Sequence, residues 1–351
     1  MTRADAPPAA EPPSGLLGEI KDAVTVRAAL LVVGVLALQL AFITSYIGAF
    51  HQPKPHRIPL AVVTPAAQLT VQSVQRLASL PGEPLDPRPV ASEAEAVRQI
   101  REREVDGALV VNPAGRVDRL LVATGGGASV ADALQAVVAL AERAQQREAE
   151  VVDVVAAARG DNRGLSPFYL VVGWCVGGYL CAAILAISAG ARPANTHRAV
   201  VRLAALLAYA LVAGLLGAVV AGPVLDALPG SIWGLWGLGT LVVFAVGALT
   251  LALQGLAGII GIGLAILLVV VLGNPSAGGA YGNPLLPPFW RTVGPFLPPG
   301  AGTYATRSIA YFKGNDTAGS VLVLSVWAVV GAAVTMVCAA LRRGRAETGA
   351  E

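Results

Sequence analysis

Hydrophobic and polar positions fall into blocks along this chain. Apolar runs cover about 28–50, 168–190, 203–225, 232–252, 256–273 and 319–341, each near the ~20 residues that carry a helix across a bilayer. From Ala227 to Trp290, 64 residues pass without one Asp, Glu, Lys, Arg or His. Between the first and second runs, residues 51–167 take on the pattern of a small globular unit. RIPLAVVTP (57–65), DGALVVNP (106–113) and RVDRLLVAT (116–124) read as strands, because apolar residues alternate or cluster between turn formers. Helices are predicted over 68–80, from Ser92 onward, and from about Ser129 to Ala158, with Pro81–Pro89 as a loop. Ser92 and Glu95 stand at capping-box spacing. The predicted fold class is an α-helical polytopic membrane protein with six transmembrane helices and an inserted extracytoplasmic α/β domain.

Residues 1–13 are Pro- and Ala-rich and read as a disordered tail. In 14–27, Leu16, Leu17 and Ile20 recur at helical spacing opposite Glu19, Lys21 and Asp22, the pattern of an amphipathic helix lying on the membrane surface. The 28–50 run is too long for the core of a cleaved leader and reads as an anchor. Lys21 and Arg27 precede it, Arg192, Arg198 and Arg202 follow the second run, and Arg342, Arg343 and Arg345 follow the sixth. Positive charge gathers on the cytoplasmic side. Both termini, including the tail at 342–351, are therefore expected in the cytoplasm, with 51–167 and the loop at 274–318 outside.

Composition supports the membrane assignment. The chain is 55% hydrophobic and 13% charged, where soluble domains carry about a quarter charged residues. Its net charge of +3 is too small to call for nucleic acid. Lysine occurs only at positions 21, 54 and 313 while Ala, Val, Gly and Arg abound. That bias resembles a GC-rich bacterial genome and points to a bacterial plasma membrane.

Candidate chemistry is defined as much by what is missing. No lysine is followed by Ser or Thr, so no P-loop is present to hold nucleotide phosphates. No predicted span carries Asp or Glu near its middle, where ion-driven transporters place ionisable groups. Cys175, Cys181 and Cys338 all lie in apolar runs without metal-ligand spacing, and His51, His56 and His197 join no nucleophile set. An enzyme, a metal and a cofactor are not expected. Gly173-x-x-x-Gly177 and Gly255, Gly258, Gly261 and Gly263 let helices approach closely, either within one chain or between subunits.

The stretch LLPPFWRTVGPFLPPGAGTYATRSIAYF (285–312) is too proline-broken for one helix and too apolar for a solvated loop. Two short helices dipping into the outer leaflet are expected, with Phe289, Trp290, Phe296, Tyr304, Tyr311 and Phe312 at headgroup level. Arg291 and Arg307 are expected to snorkel outward. The sequon Asn315-Asp316-Thr317 is read as a chance match.

This layout resembles the ABC type-2 exporter permeases, and most nearly their Pip-like (phage-infection-protein-like) bacterial branch. IPLAVVT (58–64), DGALVVNP (106–113) and LPPGAGTYATRSIAYFKG (297–314) are similar to segments that those proteins carry. The resemblance implies a permease that pairs as a homodimer or heterodimer in the lipid bilayer, draws energy from a separate cytoplasmic ATPase, and exports a hydrophobic or amphiphilic substrate. It further implies coupling to that ATPase through Leu16, Leu17, Ile20, Arg192, His197, Arg198 and Arg202. An outer gate is implied at Phe289, Trp290, Arg291, Tyr304, Arg307 and Tyr311. The alternative is a non-transporting scaffold or receptor whose external domain binds a secretion component or another partner.

Overall fold

A computed structural model describes residues 25–190 and 195–348. Helix α1 (Val26–Phe50) leads into a unit built on a five-stranded sheet of order β2-β1-β3-β4-β5 among the described residues. Strand β1 (Ile58–Val63) pairs in parallel with β2 (Leu85–Val90) on one side and with β3 (Gly107–Val110) on the other. β3 runs antiparallel to β4 (Val117–Val122), and β5 (Glu148–Asp153) pairs in parallel with β4. Successive side chains of a strand point to opposite faces. Ile58, Leu60 and Val62 accordingly enter one buried cluster, with Leu77 of α2 (Ala67–Ala78) and Leu134 and Val138 of α4 (Ala128–Arg143). Ala61 and Val63 enter the other, with Ala96 and Ile100 of α3 (Glu93–Arg101). Ser92 caps α3 by accepting from the Glu95 N–H at 3.2 Å.

Two strands depart from the sequence expectation. β2 begins inside the predicted loop at Pro81–Pro89 and ends one residue past it. Its Pro87 and Pro89 lack an N–H, which an edge strand tolerates because one side of it has no ladder partner. The long helix predicted to Ala158 stops at Arg143. The chain reverses through Gln146 at φ +56, and the period-two segment Glu148–Asp153 then pairs with β4 instead of continuing the helix.

Among the described residues, five helices are long and apolar enough to cross a membrane: Ala28–Phe50, Ser166–Ser188, Thr196–Val224, Ile232–Ala257 and Ala318–Arg342. They fall within α1, α5 (Ser166–Ala189), α6 (Thr196–Val219, extended by a π-turn to Val224), α7 (Ile232–Ala257) and α11 (Ala318–Thr348). These are the marks of a membrane-embedded protein. The predicted fifth crossing is instead the shorter apolar helix α8, Ile260–Ser276. The break falls later than the gap between the predicted runs at 252 and 256: α7 runs on to Ala257 and turns at Gly258, whose φ of +64 suits a residue without a Cβ. At 1.5 Å per residue α8 spans roughly 25 Å, and residues 267–273 widen into a π-helix.

α7 is the buried axis of the bundle, with 72% of its apolar window inside, against 6% for α1. Close approach to α7 comes from Gly178, where a Cβ would stand 2.6 Å from the Val243 carbonyl, while Gly173 meets nothing within 4 Å. Of the Gly173-x-x-x-Gly177 pair, only Gly177 makes a close approach among the described residues, toward α6, where a Cβ would stand 2.9 Å from the Tyr209 hydroxyl.

One end of the bundle meets the sheet unit. There a Cβ on Gly160 would stand 2.5 Å from the Asp226 carbonyl, and one on Gly230 2.5 Å from that of Ile309. At the opposite end Arg202 Nη2 donates to the Gly190 carbonyl at 2.7 Å, and Gly255 lies against Cys338.

Candidate functional site

The Pro-rich stretch folds into α9 (Pro288–Val293), a 3-10 turn at Gly294–Phe296, and α10 (Pro298–Tyr311). Proline opens both helices, where its missing N–H costs nothing. α10 does not lie at an outer surface. Its residues Pro298 through Thr303 are buried, and Ala301 and Ala305 share a core with Val171 of α5, Val242 of α7 and Leu324 of α11. Small residues along α10 let three longer helices close around it.

From α10 the chain grips the sheet unit. Phe312 is buried in the cluster under α3, and Leu285, ahead of α9, is buried in the cluster under α4. One apolar side chain from the same loop therefore plugs each face of the sheet. Arg103, after α3, donates through Nη1 to the Tyr304 carbonyl at 3.0 Å and to Ser308 Oγ at 2.6 Å. Its guanidinium lies 3.6 Å from the centre of the Tyr304 ring, a favourable cation–π distance. Tyr304 OH donates to Asp316 Oδ2 at 2.5 Å.

A run of three glycines after β4, Gly125-Gly126-Gly127, receives the C-terminal half of α10. A Cβ on Gly125 would stand 2.7 Å from Tyr311 Cγ, and one on Gly127 3.4 Å from Arg307 Cζ. Tyr311 OH donates to Asp161 Oδ2 at 2.6 Å, and Asp161 Oδ1 accepts the Ser166 N–H that opens α5.

Arg307 does not snorkel outward. It is 5% exposed and donates to the carbonyls of Gly278 at 2.7 Å, Gly164 at 3.1 Å and Gly279 at 3.2 Å. Carbonyls left unpaired by turns at this depth need a donor, and one guanidinium supplies several. Burial, aided by the charge of Arg103, lowers its pKa to about 10, so it stays protonated at neutral pH.

Between the sheet unit, α10 and the start of α11 lies a cavity of about 770 Å³. Arg57, Arg103, Arg291 and Arg307 line it against Asp106 and Asp316, leaving an excess of two positive charges. The rest of its wall is mixed: Val130, Phe296, Ala301 and Val323 are apolar, and His56, Ser276, Asn283, Tyr304 and Ser320 are polar. Burial raises the Asp106 carboxyl to about 6, opposed by the nearby charge of Arg103. No cluster suited to a metal ion occurs among the described residues.

Of the residues expected to form a gate, Arg291, Tyr304 and Arg307 line this cavity, and Tyr311 packs behind it. Phe289 is 53% exposed. Trp290 turns away toward α1. Its Nε1 donates to Ser45 Oγ at 3.2 Å, its ring fills the notch over Gly48, and Ser45 donates onward to the Val271 carbonyl.

Of the residues expected to couple to an ATPase, Leu16, Leu17, Ile20 and Arg192 lie outside the described residues. His197 and Arg198 are exposed in the first turn of α6, which Asn195 caps by accepting from the Arg198 N–H. Arg202 is buried and joins α6 to the end of α5. Sequence reasoning passed over Asp161 and the glycine run, and gave Arg103 and Asp316 no part in a site. Three consecutive glycines at a strand end were the available signal, since they mark a close approach. The chance-sequon reading concerned residues with structural contacts of their own: Asn315 donates to the Arg101 carbonyl and Asp316 accepts from Tyr304.

No family model, curated protein or solved structure matches this chain.

Proposed function

We propose that the chain is the membrane-spanning permease of an ATP-driven exporter of the ABC type-2 kind, moving a hydrophobic or amphiphilic substrate. In this reading it crosses the membrane six times, with α8 as a short fifth crossing that the bilayer meets by local thinning or tilt of its neighbours. The sheet unit is an inserted domain outside the cytoplasm, both termini lie inside, and two copies or two homologues pair. Energy comes from a separate cytoplasmic ATPase. The observation that carries the reading is α10. It is a short helix enclosed by three long apolar helices at one end and bonded to the sheet unit at the other. A shift of those helices would reach the cavity walls directly, which is what an exit driven from the far side of the membrane requires.

The test is co-purification from native membranes. A nucleotide-binding subunit should accompany the full chain, and Arg198→Glu, in the exposed first turn of α6, should reduce its recovery by roughly tenfold, the loss of one charged contact. Recovery of a nucleotide-binding subunit at parental level with Arg198→Glu would remove Arg198 from the coupling role. Its absence from the parent preparation would count against ATP-driven export. A scaffold or receptor is the second reading. Leu140, 72% exposed, and Val71, 55% exposed, favour it, since they stand on the two helices that cover one face of the sheet and offer apolar surface to a partner.

A further inference from the structure

We propose that the cavity between the sheet unit and the bundle binds an anionic amphiphile, with the acidic headgroup on Arg291 and the acyl portion along Phe296 and Val323. Of the arginines that line the cavity, Arg291 is the one whose guanidinium has no internal task among the described residues. Arg103 and Arg307 are committed to Tyr304, Ser308 and three backbone carbonyls, and Arg57 faces Asp86 at 3.9 Å. The guanidinium of half-buried Arg291 makes no hydrogen bond or ion pair among the described residues; only its backbone carbonyl is used, accepting from Asn283 Nδ2. A partly desolvated guanidinium is best satisfied by an oxyanion, which it meets through paired N–H groups.

The acidic residues of the cavity do not fill that role. Asp316 accepts from Tyr304, and neither Asp316 nor Asp106 makes a hydrogen bond or ion pair with Arg291 among the described residues. The apolar residues of the wall supply the second half of the argument. Phe296 is 65% exposed at the rim, and Val323 sits on the second turn of α11, where the last long apolar helix begins. Gly319 leaves open space on that helix, with nothing within 4 Å of a Cβ. Charged and apolar residues meeting where apolar helices begin suit a headgroup with its chain attached better than a free ion. The volume lies within the ~300–1,000 Å³ of ordinary ligand sites.

The proposal rests on the membrane-embedded reading above but not on transport. Its readout is binding, so a missing ATPase partner leaves it standing and a failed binding test leaves the export reading standing. The full chain, purified in a neutral detergent, is titrated with dihexanoyl-phosphatidylglycerol, dihexanoyl-phosphatidylcholine and glycerol 3-phosphate, and binding is read by calorimetry. The phosphatidylglycerol probe should bind at least about tenfold more tightly than either of the others. Arg291→Gln should weaken it by on the order of tenfold, as expected for a lost charged hydrogen bond. Val323→Trp, which fills the apolar end, should weaken it as well, with both variants melting near the parent. Equal binding of phosphatidylcholine or of glycerol 3-phosphate overturns the proposal, as does parental affinity in folded Arg291→Gln. If Arg291→Gln fails to fold, parental affinity in folded Val323→Trp overturns it alone.

Discussion

Buried charges at Arg307 and at the Asp118–Glu142 pair are held in different ways, and they predict different behaviour. Arg307 donates to three backbone carbonyls and remains charged. Glu142 and Asp118 are fully buried carboxyls between Arg76 and Arg147. Burial pushes Asp118 up, but hydrogen bonds from Arg147 and the Asn112 N–H outweigh it and hold the carboxyl below its usual range. Glu142 has Arg76 at 3.0 Å. Burial and the neighbouring Asp118 nonetheless raise it from 4.5 to about 7. Between those two values the folded chain holds a proton that the unfolded chain has released. The stabilisation is therefore complete below the lower value and declines as pH rises toward the higher one. We expect the melting temperature of the full chain to fall by a few degrees between about pH 5 and 7.5 from this group, and Glu142→Gln to flatten that slope. Identical slopes in parent and variant would remove Glu142 as the source.

At the scale of elements, the glycine run and α10 form one mechanical part. Gly125 and Gly126 separate packing from mere composition. A Cβ on Gly125 meets Tyr311 at 2.7 Å, whereas one on Gly126 meets Phe312 at an ordinary 3.5 Å. Gly125→Ala should therefore cost about 1–3 kcal/mol, the usual cost of overpacking, and raise amide exchange across residues 307–312. Gly126→Ala should be close to neutral. Equal exchange in the two variants would show that the sheet unit does not press on α10.

The elements differ in how legible they were from sequence. β1, β3 and β4 lie where Leu60, Leu109 and Leu120 mark short apolar strands. β5 was hidden because Gln145, Gln146, Arg147, Glu148, Ala149 and Glu150 are all good helix formers that follow a helix directly, and only pairing with β4 decides for a strand. β2 was hidden by its prolines, which local reasoning assigns to loops.

For the whole molecule, hydropathy located the long apolar helices because lipid demands length and composition at once. It did not anticipate that α8 would fall short, since the turn at Gly258 depends on backbone conformation. Nor could it foresee that α10 would be enclosed. Prolines and aromatics within 285–312 point equally to an interfacial belt and to a buried plug, and only contacts with Val171, Val242 and Leu324 distinguish them. The cavity was partly legible: Arg291, Tyr304 and Arg307 were expected to act together, but Arg103 and Asp106 come from a distant part of the chain that no local pattern links to them.

The account depends on which side of the membrane holds the sheet unit, and impermeant labelling measures that directly. In a chain with Cys175, Cys181 and Cys338 changed to serine, a cysteine is placed at Leu140, 72% exposed on α4, or at His197, exposed at the start of α6. Intact cells are then treated with a membrane-impermeant maleimide. The account predicts labelling of Leu140→Cys without permeabilisation and of His197→Cys only after it. Labelling of His197→Cys in intact cells while Leu140→Cys stays protected would contradict it.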